Sequence, residues 1–258
     1  RANFGGRLKA LVSGGAPLNP DIGNFFTALG LRLLQGYGQT ESAPVISCNR
    51  PGNTKLDTVG PPLLDTEINI AEDGEILVRG DLLMQGYWRN EEATREVLKN
   101  GWLHTGDVGH IDEQGRILIT DRKKDIIVNS GGDNVSPQRV EGFLTLEPEI
   151  AQALVHGDKR PHLVGLLVPD ADFATDWAAA NNVDNDLVAL IENDAFIKAI
   201  DGAVDRVNTN LAVIERVRRF ILTADAFTVD NEQMTPTLKV RRHVVTDVYG
   251  ERLEGLYR

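Results

Sequence analysis

A single cysteine, Cys48, stands among the 258 residues. One thiol cannot close an intrachain disulfide, so stability must come from packing, and a reducing compartment is the expectation. Long apolar runs are also missing: none approaches the roughly 18 residues of a membrane-spanning helix. The opening stretch, Arg1 to Arg7, lacks the apolar segment of a secretory signal. Positive charge is scarce. Lysines and arginines number 27 against 38 aspartates and glutamates, and the formal net charge of -11 argues against a broad nucleic-acid surface. There is no internal repeat, no low-complexity tract and no G-x-x-x-x-G-K-[ST] phosphate loop. What is present is an ordinary globular composition, with enough chain for one large domain or two smaller ones.

Local patterning gives a coarse order of elements. Leu8 to Val12 reads as a strand entering the glycine loop Ser13-Gly14-Gly15. Asn19-Pro20 opens a helix whose Ile22, Phe25, Phe26 and Leu29 share one face, expected to be buried. Leu31 to Leu34 is a second strand running into Gln35-Gly36-Tyr37-Gly38, so this opening section has α/β grammar. Beyond Pro51, Asp73-Gly74 and Gln114-Gly115 each separate two alternating apolar runs, which predicts hairpins. Asn90 caps a helix that includes Ala93, Val97 and Leu98. After the charged segment 121–125, strands over 126–128, 153–155, 164–168 and 220–222 mix with helices opened at Ser136-Pro137 and over 171–181, 186–211 and 237–249. The expectation is an α/β and α+β multidomain chain. Residues 1–48 are the end of a large α/β subdomain, 49–120 a small, distorted, barrel-like β unit, and 121–258 a small α+β domain.

Six segments occur in order along the chain: Ser13-Gly14-Gly15-Ala16-Pro17, Tyr37-Gly38-Gln39-Thr40-Glu41, Gly74-Glu75-Ile76-Leu77-Val78-Arg79-Gly80, Trp102-Leu103-His104-Thr105-Gly106-Asp107, Asp121-Arg122-Lys123-Lys124-Asp125 and Leu238-Lys239-Val240-Arg241. Together they resemble the AMP-forming acyl-CoA synthetases, in the long-chain fatty-acid-CoA ligase branch of the adenylate-forming enzymes. The chemistry of the residue types suits that resemblance. Glycines let backbone approach a ligand, and a tyrosine offers a face for a purine. A threonine hydroxyl can meet a phosphate oxygen, and glutamate supplies hard oxygen for magnesium. An ionised aspartate only accepts hydrogen bonds, which suits ribose hydroxyls.

The resemblance implies a role for each position. Gly15, Ala16, Gly36 and Tyr37 would border the acyl and adenine pockets. Thr40 would face the phosphates and Glu41 would hold Mg2+. Asp107 and Arg122 would contact the ribose, and Lys124 would sit at the hinge of a mobile C-terminal domain. Gly131 and Gly132 would border the pantetheine arm of CoA. Lys239 would bridge the substrate carboxylate and the α-phosphate during adenylation. The implied substrates are a fatty acid, ATP, giving AMP, and CoA. The implied setting is cytoplasmic, compatible with peripheral contact at the inner face of the membrane and with a homo-oligomer. Nothing resembling the family's upstream phosphate loop is present. The expectation is therefore the C-terminal portion of a longer enzyme, inactive by itself, with apolar surface exposed near Leu8. Two alternatives stay open: transfer of the acyl group to a carrier protein, and a non-catalytic interaction module derived from a truncated synthetase.

Overall fold

The structure is a computed structural model that describes residues 5–258, so the reading of Arg1 to Phe4 as part of a non-signal segment lies outside the described residues. The chain divides into two compact units, Arg1–Lys124 and Asp125–Arg258.

The first unit begins with β1 (Leu11–Gly14), α1 (Pro20–Ala28), β2 (Leu33–Tyr37) and β3 (Ser47–Cys48). The Asn19 side chain accepts from the Asp21 amide and Pro20 supplies the first-turn φ, so α1 starts where the sequence predicts. β1 and β2 pair in parallel and β3 adds antiparallel to β2. β1 reaches Gly14, two residues further than the apolar run suggests, because Ser13 and Gly14 still pair with Gln35 and Gly36. One expectation fails here. The apolar face of α1 is not buried: Phe25 is 60% and Leu29 63% exposed, and Val12 on β1 is 68% exposed. Periodicity reports a sidedness that something could cover, but no described element of the first unit covers it.

The same unit continues with β4 (Glu67–Ile70), β5 (Glu75–Arg79), α2 (Glu91–Val97), β6 (Leu98–Lys99), β7 (Trp102–Ile111) and β8 (Ile117–Arg122). The sheet order is β4-β5-β7-β6, with β8 also paired to β7. Both predicted hairpins form, and Asn90 caps α2 through the Ala93 amide. No pairing among the described residues closes this sheet into a barrel. Along β7 burial alternates, so Leu103, Thr105 and Asp107 share the inner face. The core there gathers Tyr37, Ile46, Ile76, Val78, Leu103 and Ile117. β8 runs through Asp121 and Arg122, which shortens the irregular part of the 121–125 segment to its last three residues.

The second unit holds β9 (Ile127–Val128), β10 (Asn134–Val135), α3 (Pro137–Leu144), β11 (Ile150–His156), β12 (Leu163–Pro169), α4 (Ala171–Asn181), α5 (Leu187–Leu190), α6 (Asp194–Thr209), β13 (Val217–Leu222) and α7 (Arg242–Gly255). β12 is central, antiparallel to β11 and parallel to β13. It is buried along its whole length, as a near-continuous apolar strand covered on both faces should be. Leu163 and Leu167 join the cluster that includes Phe196, Ile200 and Val204 of α6. Val164, Leu166 and Val168 join Val245, Tyr249 and Leu253 of α7.

Two predicted helices are redrawn. The stretch 186–211 is two helices, because the Asn193 side chain accepts from the Ala195 and Phe196 amides and starts α6 afresh. The helix expected over 237–249 begins only at Arg242, because Leu238 takes φ +60°, which a helix cannot accommodate. No helix among the described residues is long and apolar enough to cross a membrane.

Candidate functional site

The parallel pair β1 and β2 ends in glycine on both strands, with Gly14 opposite Gly36. Gly15, Ala16, Gly36 and Tyr37 therefore lie at the carboxyl ends of parallel strands, where α/β sheets place ligands. Close backbone approach dictates the glycine after Tyr37. A Cβ on Gly38 would lie 1.9 Å from the Pro44 carbonyl oxygen, so the chain can pass there only without a side chain.

Thr40 and Glu41 follow in a single 3-10 turn that ends at Ala43 in the left-handed region, φ 52°. The Ser42 hydroxyl donates to the Gln39 carbonyl at 2.9 Å and accepts from the Gln39 amide at 3.2 Å, which locks the turn. Thr40 is exposed. One oxygen of Glu41 accepts from the Tyr87 hydroxyl at 2.8 Å, and the Met84 amide donates to the Glu41 carbonyl at 2.8 Å. Burial first, and then the neighbouring Glu41 carboxylate, raises the Tyr87 hydroxyl above its ordinary value, so it stays a donor. Sequence reading passed over Tyr87. The available signal was an aromatic pair directly after Gly86, without a periodic pattern to explain it.

Asp107 is the centre of the first unit's polar cluster. It is 4% exposed, carried inward by the two-residue period of β7. A buried carboxylate needs partners. The Tyr37 hydroxyl donates to its Oδ2 at 2.6 Å, and the Arg122 Nε lies 3.2 Å from its Oδ1. Arg122 is there because Asp107 and Arg122 are register partners on β7 and β8. The Asp107 amide donates to the Thr105 hydroxyl at 3.1 Å, and that hydroxyl donates to the Ile76 carbonyl at 2.7 Å. Tyr37 is 8% exposed and its ring belongs to the core. Burial, followed by the Asp107 charge, raises its hydroxyl far above the ordinary tyrosine value, so Tyr37 is a permanent donor to Asp107. With about four lone-pair sites on a carboxylate, Asp107 keeps acceptor capacity beyond these two contacts.

The remaining predicted positions are spread more widely. Lys124 is exposed at the end of the first unit. Gly131 and Gly132 form the tip between β9 and β10, in the second unit. The Asn129 side chain accepts from the Gly131 and Asp133 amides, both at 2.9 Å, and Gly132 takes φ +87°. Lys239 is exposed on another loop of that unit. Its amide donates to the Thr235 hydroxyl at 3.1 Å, its carbonyl accepts from the Thr235 amide at 2.8 Å, and Met234 and Val240 bridge beneath the turn. Thus Tyr37, Asp107 and Arg122 touch one another, Gly15, Ala16 and Gly36 share a strand end, and Gly131, Gly132 and Lys239 sit on two loops elsewhere. No group of three or more metal-ligating side chains occurs among the described residues. Magnesium commonly takes one or two protein carboxylates and leaves the rest to phosphates and water, so the half-exposed Glu41 alone fits it.

Known proteins resemble this chain in sequence and fold. AMP-binding enzymes match residues 1–88, and the AMP-binding enzyme C-terminal domain matches residues 124–258. A long-chain-fatty-acid–CoA ligase, FadD15, of Mycobacterium bovis is 39% identical over 259 residues, spanning 100% of this chain and 43% of the relative. Long-chain-fatty-acid–CoA ligase 6 of Homo sapiens is 33% identical over 273 residues, spanning 100% of this chain and 39% of the relative. This chain thus spans less than half the length of these curated relatives. Among solved structures, the A-PCP didomain of carboxylic acid reductase from Segniliparus rugosus, in complex with AMP, superposes with TM-score 0.79 at 26% identity, covering 98% of this chain and 35% of that one. The two family matches follow one another along the chain and between them leave only residues 89–123 uncovered, so the chain belongs to the AMP-binding enzymes.

Proposed function

We propose that this chain supplies the nucleotide-facing and C-terminal parts of a fatty-acid-CoA ligase. Such an enzyme joins the fatty-acid carboxylate to the α-phosphate of ATP, releasing pyrophosphate, and the CoA thiol then displaces AMP from the acyl-AMP. The observation that carries this reading is Asp107, a buried acceptor held between Tyr37 and Arg122. Its free lone pairs suit the two vicinal hydroxyls of a ribose.

The other roles rest on the motif resemblance and on residue chemistry. Gly15, Ala16 and Gly36 border the acyl and adenine groups, and Thr40 offers its hydroxyl to a phosphate oxygen. Glu41, oriented by Tyr87, is the carboxylate that would hold Mg2+, and the bound ion would neutralise phosphate charge. Lys239 serves the adenylation step as a flexible cation on an exposed turn. Gly131 and Gly132 border the pantetheine arm, and Lys124, at the edge of the first unit, is the hinge residue. The domain division at 1–48, 49–120 and 121–258 belongs to the same reading. A lone cysteine suits a cytoplasmic place.

Calorimetric titration with a non-hydrolysable acyl-adenylate analogue tests this. Asp107→Ala should weaken binding by at least about tenfold, since a buried charged hydrogen bond is lost. Equal affinity in the variant removes Asp107 from the site. A second reading, acyl transfer to a carrier protein, is favoured by the carrier-bearing didomain among the similar structures. Comparing free CoA with a pantetheinylated carrier as acceptor, in a protein containing this chain, separates the two.

A further inference from the structure

Behind Asp107 lies a second buried carboxylate to which none of these roles is given. Glu75 opens β5 and is 6% exposed. Its Oε1 accepts from the Gly106 amide at 2.9 Å. Its Oε2 meets the Lys123 ammonium at 3.1 Å and the His104 Nδ1 at 3.1 Å. Lys123 also reaches the Asp73 carboxylate at 2.6 Å. Burial alone would raise the Glu75 carboxyl, but the bonds from His104, Gly106 and Lys123 outweigh it and leave the group below the ordinary glutamate range. A cleft of about 430 Å³ opens beside this cluster, lined by Asp73, Glu75, Lys99, His104 and Lys123, and it does not include Tyr37 or Asp107.

The contacts join the two strands that carry the nucleotide-facing pair. Gly106 immediately precedes Asp107, and Lys123 immediately follows Arg122. The Lys123 amide donates to the Gly106 carbonyl at 2.8 Å. Gly106 is therefore held from both sides, by Glu75 on its amide and by Lys123 on its carbonyl, and Glu75 holds the Lys123 side chain as well. Gly106 also sits at φ +70°, between His104 and Val108, where the register of β7 against β5 shifts. A strand left in that conformation without its clamp would be free to relax.

We propose that Glu75 is a positioning residue for Asp107 and Arg122. It touches no nucleotide. It fixes the residue before Asp107 and the residue after Arg122, and so sets the separation and direction of the two groups that face the ribose. This rests on the reading of Asp107 as the ribose contact. Glu75→Gln keeps an acceptor for the Gly106 amide but removes the charge that holds Lys123, and Glu75→Ala removes both.

The experiment has two arms. In the first, calorimetry compares AMP with 2′,3′-dideoxy-AMP on the unaltered chain, Glu75→Gln and Glu75→Ala. The unaltered chain should prefer AMP. Glu75→Gln should shrink that preference several-fold and Glu75→Ala by about tenfold, with dideoxy-AMP affinity unchanged. Equal weakening of both nucleotides, or an unchanged ratio, overturns the proposal, because a merely structural role lowers both alike. In the second arm, amide hydrogen exchange is followed without nucleotide. Exchange at Gly106 and Lys123 should rise in Glu75→Ala while amides of β12 stay protected. Unchanged exchange at both overturns the clamp. If the unaltered chain binds both nucleotides equally, or neither, the ribose reading falls, and the exchange arm decides the clamp separately.

Discussion

Phe196 and Phe25 mark the contrast between the two units. Phe196 is fully buried on α6, against Phe173 and Trp177, in the large cluster that packs one face of the β11-β12-β13 sheet. Phe25 is on α1 of the first unit and is mostly exposed. The second unit is held by apolar burial on both faces of a central strand. The first is assembled from a three-stranded and a five-stranded sheet with a smaller apolar cluster. It depends more on close backbone approach and on buried polar bonds. Asn49 donates to the Thr58 carbonyl, Ser47 to the Val59 carbonyl, the Gly106 amide, Lys123 and His104 meet the Glu75 carboxylate, and Tyr37 and Arg122 meet that of Asp107. Polar clamps fix direction where burial fixes only proximity, so the unit with the weaker apolar core carries the most closely specified side-chain cluster.

Three experiments break or sharpen that contrast. The largest effect should come from paired truncations. Phe196→Ala should destabilise the second unit by about 3–5 kcal/mol, whereas Phe25→Ala should change the first by no more than about 0.5 kcal/mol. Denaturant unfolding with exchange resolved by unit checks both, and equal costs would erase the distinction. Next, Gly38→Ala should cost the first unit about 1–3 kcal/mol, because the new methyl meets the Pro44 carbonyl oxygen. Its measured cost reads how tightly backbone approach is fixed there, and a neutral result would contradict it.

The smallest effect concerns acid. Burial, then Arg218 and Arg219, push His162 below the ordinary histidine value, and its Nε2 has no hydrogen-bond partner. A proton therefore binds the unfolded chain more readily than the folded one. The stability from this group is complete above about pH 6.5 and declines as pH falls through the folded value. Glu75 in the first unit is also lowered, but from the carboxylate range, so its contribution is complete above about pH 4.3 and declines only below that. Unit-resolved exchange between pH 7.5 and 5.5 should weaken the second unit first, and His162→Asn should flatten that slope. A first unit that weakens earlier would reverse the assignment.

The sequence made much of the local structure legible. Asn19-Pro20, Asn90 and Ser136-Pro137 announce helices because a capping side chain acts on amides only two or three residues away. Asp73-Gly74 and Gln114-Gly115 announce hairpins for the same local reason. The ordered motifs also pointed to the family that the matches show. What sequence could not give was coverage and partnership. The spacing of Ile22, Phe25 and Leu29 defined a face, but only the tertiary structure decided that it stays exposed. The stretch 237–249 read as one helix, until Leu238 in the left-handed region separated the lysine turn from α7.

The candidate site divides in the same way. The sequence by itself singled out Asp107 through its motif, and the alternation built into extended backbone turns it inward once β7 forms. Only the tertiary structure decided that Tyr37, 70 residues earlier, donates to Asp107, that Tyr87 holds Glu41, and that Glu75 clamps Gly106 and Lys123. Those bonds join residues far apart in the chain, and strand register, which no local pattern specifies, brings them within reach.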